Sequence, residues 1–131
     1  MHDGTTPPAP TRVLVVDDNV DAAETYAALI AMWGHTAACA HDGPAGLAAA
    51  EAFRPDVIVL DIGLPGLDGY EVAAALRRNP LFRTALIVAV TGHGREDDRR
   101  FATDAGIDHY FLKPVAPETL RLLIANAGPR A

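Results

Sequence analysis

The sequence predicts an α/β fold, a doubly wound (βα)5 domain with a five-stranded parallel sheet. Five short apolar segments recur along the chain, and they alternate with segments whose apolar residues have helical spacing. The apolar segments are continuous rather than interrupted by polar residues, which is typical of parallel strands buried on both faces. The predicted strands span residues 12–16, 36–40, 57–60, 86–90 and 110–112.

Local signals predict where the intervening helices begin and end. Apolar residues between positions 26 and 33 recur at helical spacing, and Asp18 or Asn19 is expected to cap that helix. Asp68 is expected to begin the third helix. Proline suits a first helical turn and glycine a C-terminal end, so helices are predicted to start at Pro44 and Pro117 and to end at Gly34 and Gly106.

The length and composition indicate one globular domain. The chain has 131 residues, of which 50% are hydrophobic, and this length suits a single hydrophobic core. We expect residues 1–11 to form a flexible tail, residues 12–127 to form the domain, and residues 128–131 to form a C-terminal tail.

Charge and cysteine content argue against several functional classes. The net charge is −6, with 11 basic and 17 acidic residues, whereas a nucleic-acid-binding surface needs clustered positive charge. Cys39 is the only cysteine, so an internal disulfide is excluded. The first residues lack the apolar stretch that is typical of a signal peptide, and no apolar run approaches the roughly 20 residues that span a bilayer. We therefore expect a cytoplasmic protein without membrane contact or direct nucleic-acid contact.

Polar residues follow the predicted strands at the ends where ligands bind in open α/β sheets. Asp17 and Asp18 follow the first strand, Asp61 the third, Thr91 the fourth and Lys113 the fifth. Three carboxylates at one edge repel one another unless a cation lies among them. Oxygen ligands in this small number favour Mg²⁺, with Mn²⁺ as an alternative ion.

Four segments resemble the receiver domains of bacterial response regulators. They are VVDDN, VLDIGLPGLDGY, AVTGHG and FLKPV, and they occur in the family's order within a resemblance that covers about residues 12–125. The resemblance implies the flavodoxin-like strand order 2-1-3-4-5. It also implies a two-component phosphorelay protein, in which a sensor histidine kinase or a histidine phosphotransfer protein donates a phosphoryl group.

The resemblance assigns roles to the acidic residues and to one glycine. Asp61 is the implied phosphoacceptor, Asp18 a direct ligand of Mg²⁺, and Asp17 a residue that holds the ion mostly through water. Gly63 is expected to contribute its backbone carbonyl. The domain is then a phosphoacceptor switch that assists its own phosphorylation and dephosphorylation, and not an enzyme with an external substrate.

The remaining implied roles concern charge neutralisation and switching. Lys113 is expected to pair with Asp61 and then with the phosphoryl group, and Thr91 to bond a phosphoryl oxygen. Tyr110 matches the family's aromatic switch position, and Pro114 matches a position that follows a cis peptide bond. The surface expected to change comprises a fourth helix over residues 96–104, the fifth strand and the fifth helix.

This surface is where a downstream effector protein is expected to dock, and a weak homodimer is the expected form of any self-association. The chain fits a stand-alone regulator and a receiver from a hybrid kinase equally well. Gly63 and His93 occupy positions that flank the path of the hydrolytic water, so the lifetime of a phosphorylated state stays open.

Three other functions compete with this interpretation. Phosphohydrolases that form an aspartyl phosphate need an acid two residues after the nucleophile, where this chain has Gly63. Flavin-binding domains need a phosphate-binding loop after the first strand, but Asp17 and Asp18 would repel a phosphate there. A pseudo-receiver that serves only as an interaction scaffold would differ in never being modified at Asp61.

Overall fold

The protein was analysed as a computed structural model, which describes residues 10–92, 100 and 102–127. All the strand pairs in the described sheet are parallel, and the strand order is 2-1-3-4-5. The strands are β1 (Arg12–Val16), β2 (Thr36–Ala40), β3 (Val57–Asp61), β4 (Leu86–Thr91) and β5 (His109–Leu112). The predicted fold class and strand order are confirmed, and each strand bound agrees with its prediction to within one residue.

The helices connect the strands as the sequence signals predict. They are α1 (Val20–Met32), α2 (Gly43–Phe53), α3 (Gly69–Arg78), a 3₁₀ turn (Pro80–Phe82) and the C-terminal helix (Pro117–Ala127). The α1 cap is Asn19, whose side chain accepts from the Ala22 amide, so of the two candidates Asn19 is correct. Asp68 caps α3 in the same way, through the Glu71 amide.

Part of the predicted switch surface lies outside the described residues. Of the predicted fourth helix, residues 100 and 102–104 are described and helical. The chain then turns at Gly106, which has a φ of 86° and was predicted to end this helix. Phe101 and His93 lie outside the described residues, as do most of the two predicted tails.

The sheet separates two apolar layers, as expected for strands that are buried on both faces. On one side, alternate residues of β1 and β3, including Leu14 and Ile58, pack with buried residues of α2 and α3. On the other side, the intervening strand residues, including Val13 and Val59, pack with α1 and the C-terminal helix. Within the described part of the chain, no helix is long and apolar enough to span a membrane.

Gly69 allows α3 to begin directly beside the end of β3. A Cβ atom at this position would lie 2.6 Å from the Asp61 carbonyl oxygen and 2.6 Å from the Ile62 Cα atom. Both distances are much shorter than a van der Waals contact, and both partners are backbone atoms. The absence of a side chain at Gly69 therefore determines how closely α3 approaches Asp61.

Candidate functional site

The carboxyl edge of the sheet brings together the polar residues predicted from the strand ends. Asp17 follows β1, Asp61 ends β3, Thr91 ends β4 and Lys113 follows β5. Asp17, Asp61 and Thr91 are buried, with exposures of 1%, 7% and 4%. One carboxylate oxygen from each of Asp17, Asp18 and Asp61 lies within 4.8 Å of the other two. The site lies where the strand order reverses between β1 and β3, which is where such sheets bind ligands.

Lys113 bridges the two buried carboxylates. Its Nζ atom donates to Asp17 Oδ2 at 3.0 Å and to Asp61 Oδ2 at 3.3 Å. The resemblance implied the contact with Asp61, whereas the shorter contact with Asp17 was not expected. Partial burial of the ammonium lowers the pKa of Lys113, but the hydrogen bond to Asp17 and the two nearby carboxylates outweigh it, and the pKa is raised.

Asp61 has a partner for each carboxylate oxygen. Oδ1 accepts a hydrogen bond from the Gly63 amide at 2.9 Å, while Oδ2 contacts Lys113. Burial raises the pKa of Asp61 and the charge of Asp17 adds to this effect, although the Gly63 amide and Lys113 act in the opposite direction. The protein therefore holds this carboxylate in place while making its negative charge costly.

Asp17 and Asp18 differ in how the protein holds them. Asp17 Oδ1 accepts from the Asn19 amide at 2.9 Å, so its side chain is fixed by the first residues of the following turn. The Asp18 side chain is exposed, and no hydrogen bond fixes it among the described residues. One carboxylate is thus rigid and internal, and the other faces solvent at the edge of the group.

The donor set of this group fits a hard divalent cation. Three carboxylates and one ammonium carry a formal charge of −2, and their oxygens are the ligands that Mg²⁺ and Mn²⁺ prefer. Because the exposed Asp18 carboxylate lies beside the buried pair, an ion has access from solvent. The acidic group could therefore hold a metal ion.

The adjoining strands β4 and β5 carry the other predicted residues, which are Thr91, Tyr110 and, just after β5, Pro114. The Thr91 carbonyl accepts from the Lys113 amide at 2.7 Å, which ties the two strand ends together. Tyr110 is half-buried and packs against the apolar layer that contains α3. The peptide bond between Lys113 and Pro114 is cis, in agreement with the family position.

The sequence matches the protein family described as the response regulator receiver domain over residues 13–125. The chain belongs to this family. Receiver domains are modules of two-component signalling systems, and both the strand order and the polar strand ends of this receiver domain agree with that membership.

Curated relatives of this receiver domain differ in length. Protein PilH of Pseudomonas aeruginosa is 32% identical over 109 residues, which cover 83% of this chain and 90% of PilH. The transcriptional regulatory protein TcrA of Mycobacterium tuberculosis is 38% identical over 103 residues, covering 79% of this chain but 40% of TcrA. The receiver domain therefore spans less than half of TcrA and most of PilH.

Solved structures agree with the fold throughout the domain. The chemotaxis protein CheY4 of Vibrio cholerae has a TM-score of 0.85 and 27% identity, covering 91% of this chain and 99% of that chain. The receiver domain of the sensor histidine kinase PA1611 from P. aeruginosa has a TM-score of 0.80 and 29% identity, covering 90% and 97%. That structure is described as having a magnesium ion coordinated in the active site cleft.

Sequence reasoning missed two residues that support the acidic group of this receiver domain. The Asn19 amide bonds Asp17, although Asn19 was considered only as a helix cap. The His41 ring contacts the Asp17 backbone from the end of β2, and no role was predicted for it. The position of His41 directly after a predicted strand was the one available signal.

Proposed function

We propose that this receiver domain accepts a phosphoryl group on Asp61 from a sensor histidine kinase or a histidine phosphotransfer protein. The observation that carries the proposal is the setting of the Asp61 carboxylate. It is buried at the end of β3, its oxygens are held by the Gly63 amide and Lys113, and two further carboxylates lie within 4.8 Å. A fixed carboxylate at a charge-compensated edge is suited to attack on phosphorus.

The transfer step conserves the phosphoryl group. A carboxylate oxygen of Asp61 forms a bond to phosphorus while the bond from phosphorus to the donor's imidazole nitrogen breaks. The electron pair of that bond stays with the imidazole, which takes up a proton. Negative charge spreads over the phosphoryl oxygens during transfer, so the protein contributes through positioning and through nearby positive charge.

Lys113 and Thr91 are the residues proposed to bind the transferred group. The Lys113 ammonium is already beside Asp61 Oδ2 at 3.3 Å, and it would neutralise charge on the phosphoryl oxygens. The Thr91 hydroxyl is proposed to donate to one of these oxygens. Thr91 is the last residue of β4, which pairs directly with β3, and this placement supports its role.

The acidic group is proposed to hold Mg²⁺, with Mn²⁺ as the alternative ion. Asp18 and Asp61 would be direct ligands, Asp17 would act mostly through water, and Gly63 would contribute its carbonyl. When bound, such an ion neutralises carboxylate and phosphoryl charge together. The close approach of the three carboxylates supports this assignment, as does the magnesium-bound relative PA1611.

The response to phosphorylation is proposed to change the surface formed by residues 96–104, β5 and the C-terminal helix. Tyr110 is the proposed reporter of state, because it lies on β5 next to the strand that ends at Thr91. Leu112 and Leu122 are 56% and 47% exposed on β5 and on the C-terminal helix. These apolar side chains suit docking of a downstream effector protein or a weak homodimer.

We infer a phosphoacceptor switch in the cytoplasm rather than an enzyme that turns over an external substrate. Both a stand-alone regulator and a receiver within a longer signalling protein are consistent with the relatives, because PilH is similar in length to this chain and TcrA is much longer. The effector and the cognate kinase depend on which of these two contexts applies.

Incubation with acetyl phosphate and Mg²⁺, followed by intact-mass measurement, tests the assignment of Asp61. The wild-type chain should gain the mass of one phosphoryl group, and the Asp61→Asn variant should gain none because an amide is not a nucleophile here. Asp68→Asn is the matched control, since Asp68 only caps α3 and an asparagine caps equally well.

Uptake by Asp61→Asn would contradict the proposal, as would failure of wild type to be modified by any phosphohistidine donor or small phosphodonor. Steady turnover of a phosphomonoester would instead favour the phosphohydrolase alternative.

A further inference from the structure

The parallel ladder between β1 and β2 ends beside the acidic group. The Asp17 amide donates to the Ala40 carbonyl at 3.0 Å, and this is the last backbone bond between the two strand ends. The chain then leaves the sheet to form α2, whose cap is Asp42. Asp42 accepts from the Ala45 amide through its side chain and from the Gly46 amide through its carbonyl. Among the described residues, no backbone amide donates to the Asp17 carbonyl.

The side chain of His41 takes the place of that missing donor. Its Nδ1 atom lies 3.1 Å from the Asp17 carbonyl oxygen. A carbonyl oxygen can only accept a hydrogen bond, so this contact is a hydrogen bond in the tautomer that carries its proton on Nδ1. The imidazole thus extends the strand ladder by one bond, at the residue that leads into the exposed Asp18.

This bond completes the fixation of Asp17. The Asp17 amide donates to Ala40, and the Asp17 carbonyl contacts His41. The two carboxylate oxygens accept from the Asn19 amide and from Lys113. The Asp17 carbonyl belongs to the same planar peptide unit as the Asp18 amide. Holding this carbonyl therefore fixes the plane from which the Asp18 side chain projects.

Asp18 depends on its backbone for orientation, because its exposed carboxylate has no hydrogen-bond partner within the described part of the chain. We propose that His41 is a positioning residue, which donates through Nδ1 to the Asp17 carbonyl and thereby orients the Asp18 carboxylate for a divalent cation. This inference rests on the proposed function, in which Asp18 is a direct ligand of Mg²⁺. Groups that orient metal ligands contribute strongly to metal affinity.

The chain offers a matched control at the opposite end of the same strand. His35 precedes β2, and its Nδ1 accepts a hydrogen bond from the Thr11 amide at 3.3 Å. His35 and His41 are both half-buried, and each bonds the backbone next to β1. Only His41 lies at the carboxyl edge, so only His41 should affect metal binding.

The test is a calorimetric titration of the full chain with Mg²⁺ alone. His41→Leu introduces an apolar side chain of similar size that lacks the donor, and His41→Asn restores an N–H close to the position of Nδ1. We expect His41→Leu to raise the Mg²⁺ dissociation constant by roughly 3- to 10-fold, at or below the lower end of the range for groups that support ligands. His41→Asn should stay near wild type, and His35→Leu should not change the constant.

Three further measurements help to separate positioning from general stability. The urea midpoint of each variant shows whether His41→Leu and His35→Leu destabilise the fold to a similar extent. The ¹⁵N shifts of the His41 ring in the metal-free wild type identify which nitrogen is protonated, and Nδ1 should be that atom. An Asp18→Ala titration gives the loss expected when the ligand itself is removed.

The outcomes distinguish this inference from the proposed function. If wild type binds Mg²⁺ and His41→Leu has the same dissociation constant, the role of His41 is overturned and the proposed function stays intact. The same holds if the His41 ring is protonated only at Nε2. Wild type that does not bind Mg²⁺ overturns both. If His41→Leu weakens Mg²⁺ binding and His41→Asn does not restore the wild-type dissociation constant, the effect is one of shape rather than of the donor. That result also overturns the inference.

Discussion

Removal of the Lys113 charge should destabilise the metal-free protein at neutral pH. Lys113 is the cation beside Asp17 and Asp61, whose side chains are 2% and 10% exposed. Lys113→Met removes the ammonium but keeps an unbranched side chain that packs like the lysine stem. The variant therefore leaves two buried carboxylates next to each other, with no other counter-ion among the residues that the structure describes.

The size of the effect follows from the two contacts. At 3.0 and 3.3 Å, each pair is worth about 5 kcal/mol in Coulomb energy at an effective dielectric constant of about 20. Desolvation of the three groups and repulsion between the carboxylates offset much of this. Loss of one partner of a buried pair costs about 3–5 kcal/mol, and because Lys113 is 28% exposed we expect about 2–3 kcal/mol.

The loss should depend on pH in a defined direction. The folded-state pKa of Lys113 is raised above 10.5, so its stabilisation is fully present at neutral pH and disappears only as the pH rises through that pKa. At the acidic end, protonation of Asp61, whose pKa is raised above 3.8, removes one of the charges that Lys113 compensates. The difference between wild type and Lys113→Met should therefore shrink as the pH falls from neutral towards 4.

Urea unfolding in the presence of a metal chelator measures this difference. Trp33 is the only tryptophan, and it packs against the apolar layer beside α1, so its fluorescence should report unfolding. Arg121→Met is the control, because Arg121 pairs with Glu118 at an exposed site and should hardly change the midpoint. A Lys113→Met loss below about 0.5 kcal/mol, or one that is as large at pH 3.8 as at pH 7, would refute the reasoning.

Two further predictions concern residues around the same edge and the far end of β5. Asp61→Asn should stabilise the metal-free protein above about pH 4, because burial raises the pKa of Asp61 and a neutral amide avoids the cost of burying a charge. Saturating Mg²⁺ should make wild type the more stable protein, because it stabilises wild type by about 2.7 kcal/mol at 100 times its dissociation constant. Equal urea midpoints without metal would contradict this. Gly106→Ala should cost more than Gly34→Ala in urea unfolding. Both glycines have positive φ, at 86° and 92°, which costs alanine about 1 kcal/mol or more. A Cβ atom at Gly106 would also lie 2.5 Å from Arg77 Cγ, whereas Gly34 has open space. Similar losses for the two variants would show that Arg77 moves away freely.

The strands could be predicted because their signal is local. Each buried strand is a continuous apolar run that ends at a polar residue. At the carboxyl edge, β3 and β4 each extend one residue beyond the predicted end, because Asp61 and Thr91 still pair with the neighbouring strand. Since carboxyl ends of parallel strands share one edge, the same pattern also predicted which side chains meet. The candidate site therefore followed from the fold, before any distance was known.

The hydrogen bonds within the site could not be predicted in the same way. A sequence pattern places Lys113 at the correct edge, but the choice between Asp17 and Asp61 depends on differences of tenths of an ångström. The contact of His41 depends on where β2 leaves the sheet, and this is set by the capping of α2 by Asp42. Both are contacts between distant parts of the chain, which no local pattern encodes.

The shared position of Lys113 offers a physical route from Asp61 to the rest of the sheet. Its ammonium is divided almost equally between two carboxylates, so a phosphoryl group on Asp61 would add negative charge on one side only and draw the ammonium towards it. The Lys113 amide is bonded to the Thr91 carbonyl at 2.7 Å, so the backbone of Lys113 is tied to the end of β4. A change of charge at the end of β3 would therefore act on a residue whose backbone is bonded to β4, the strand that pairs with β5 and its Tyr110.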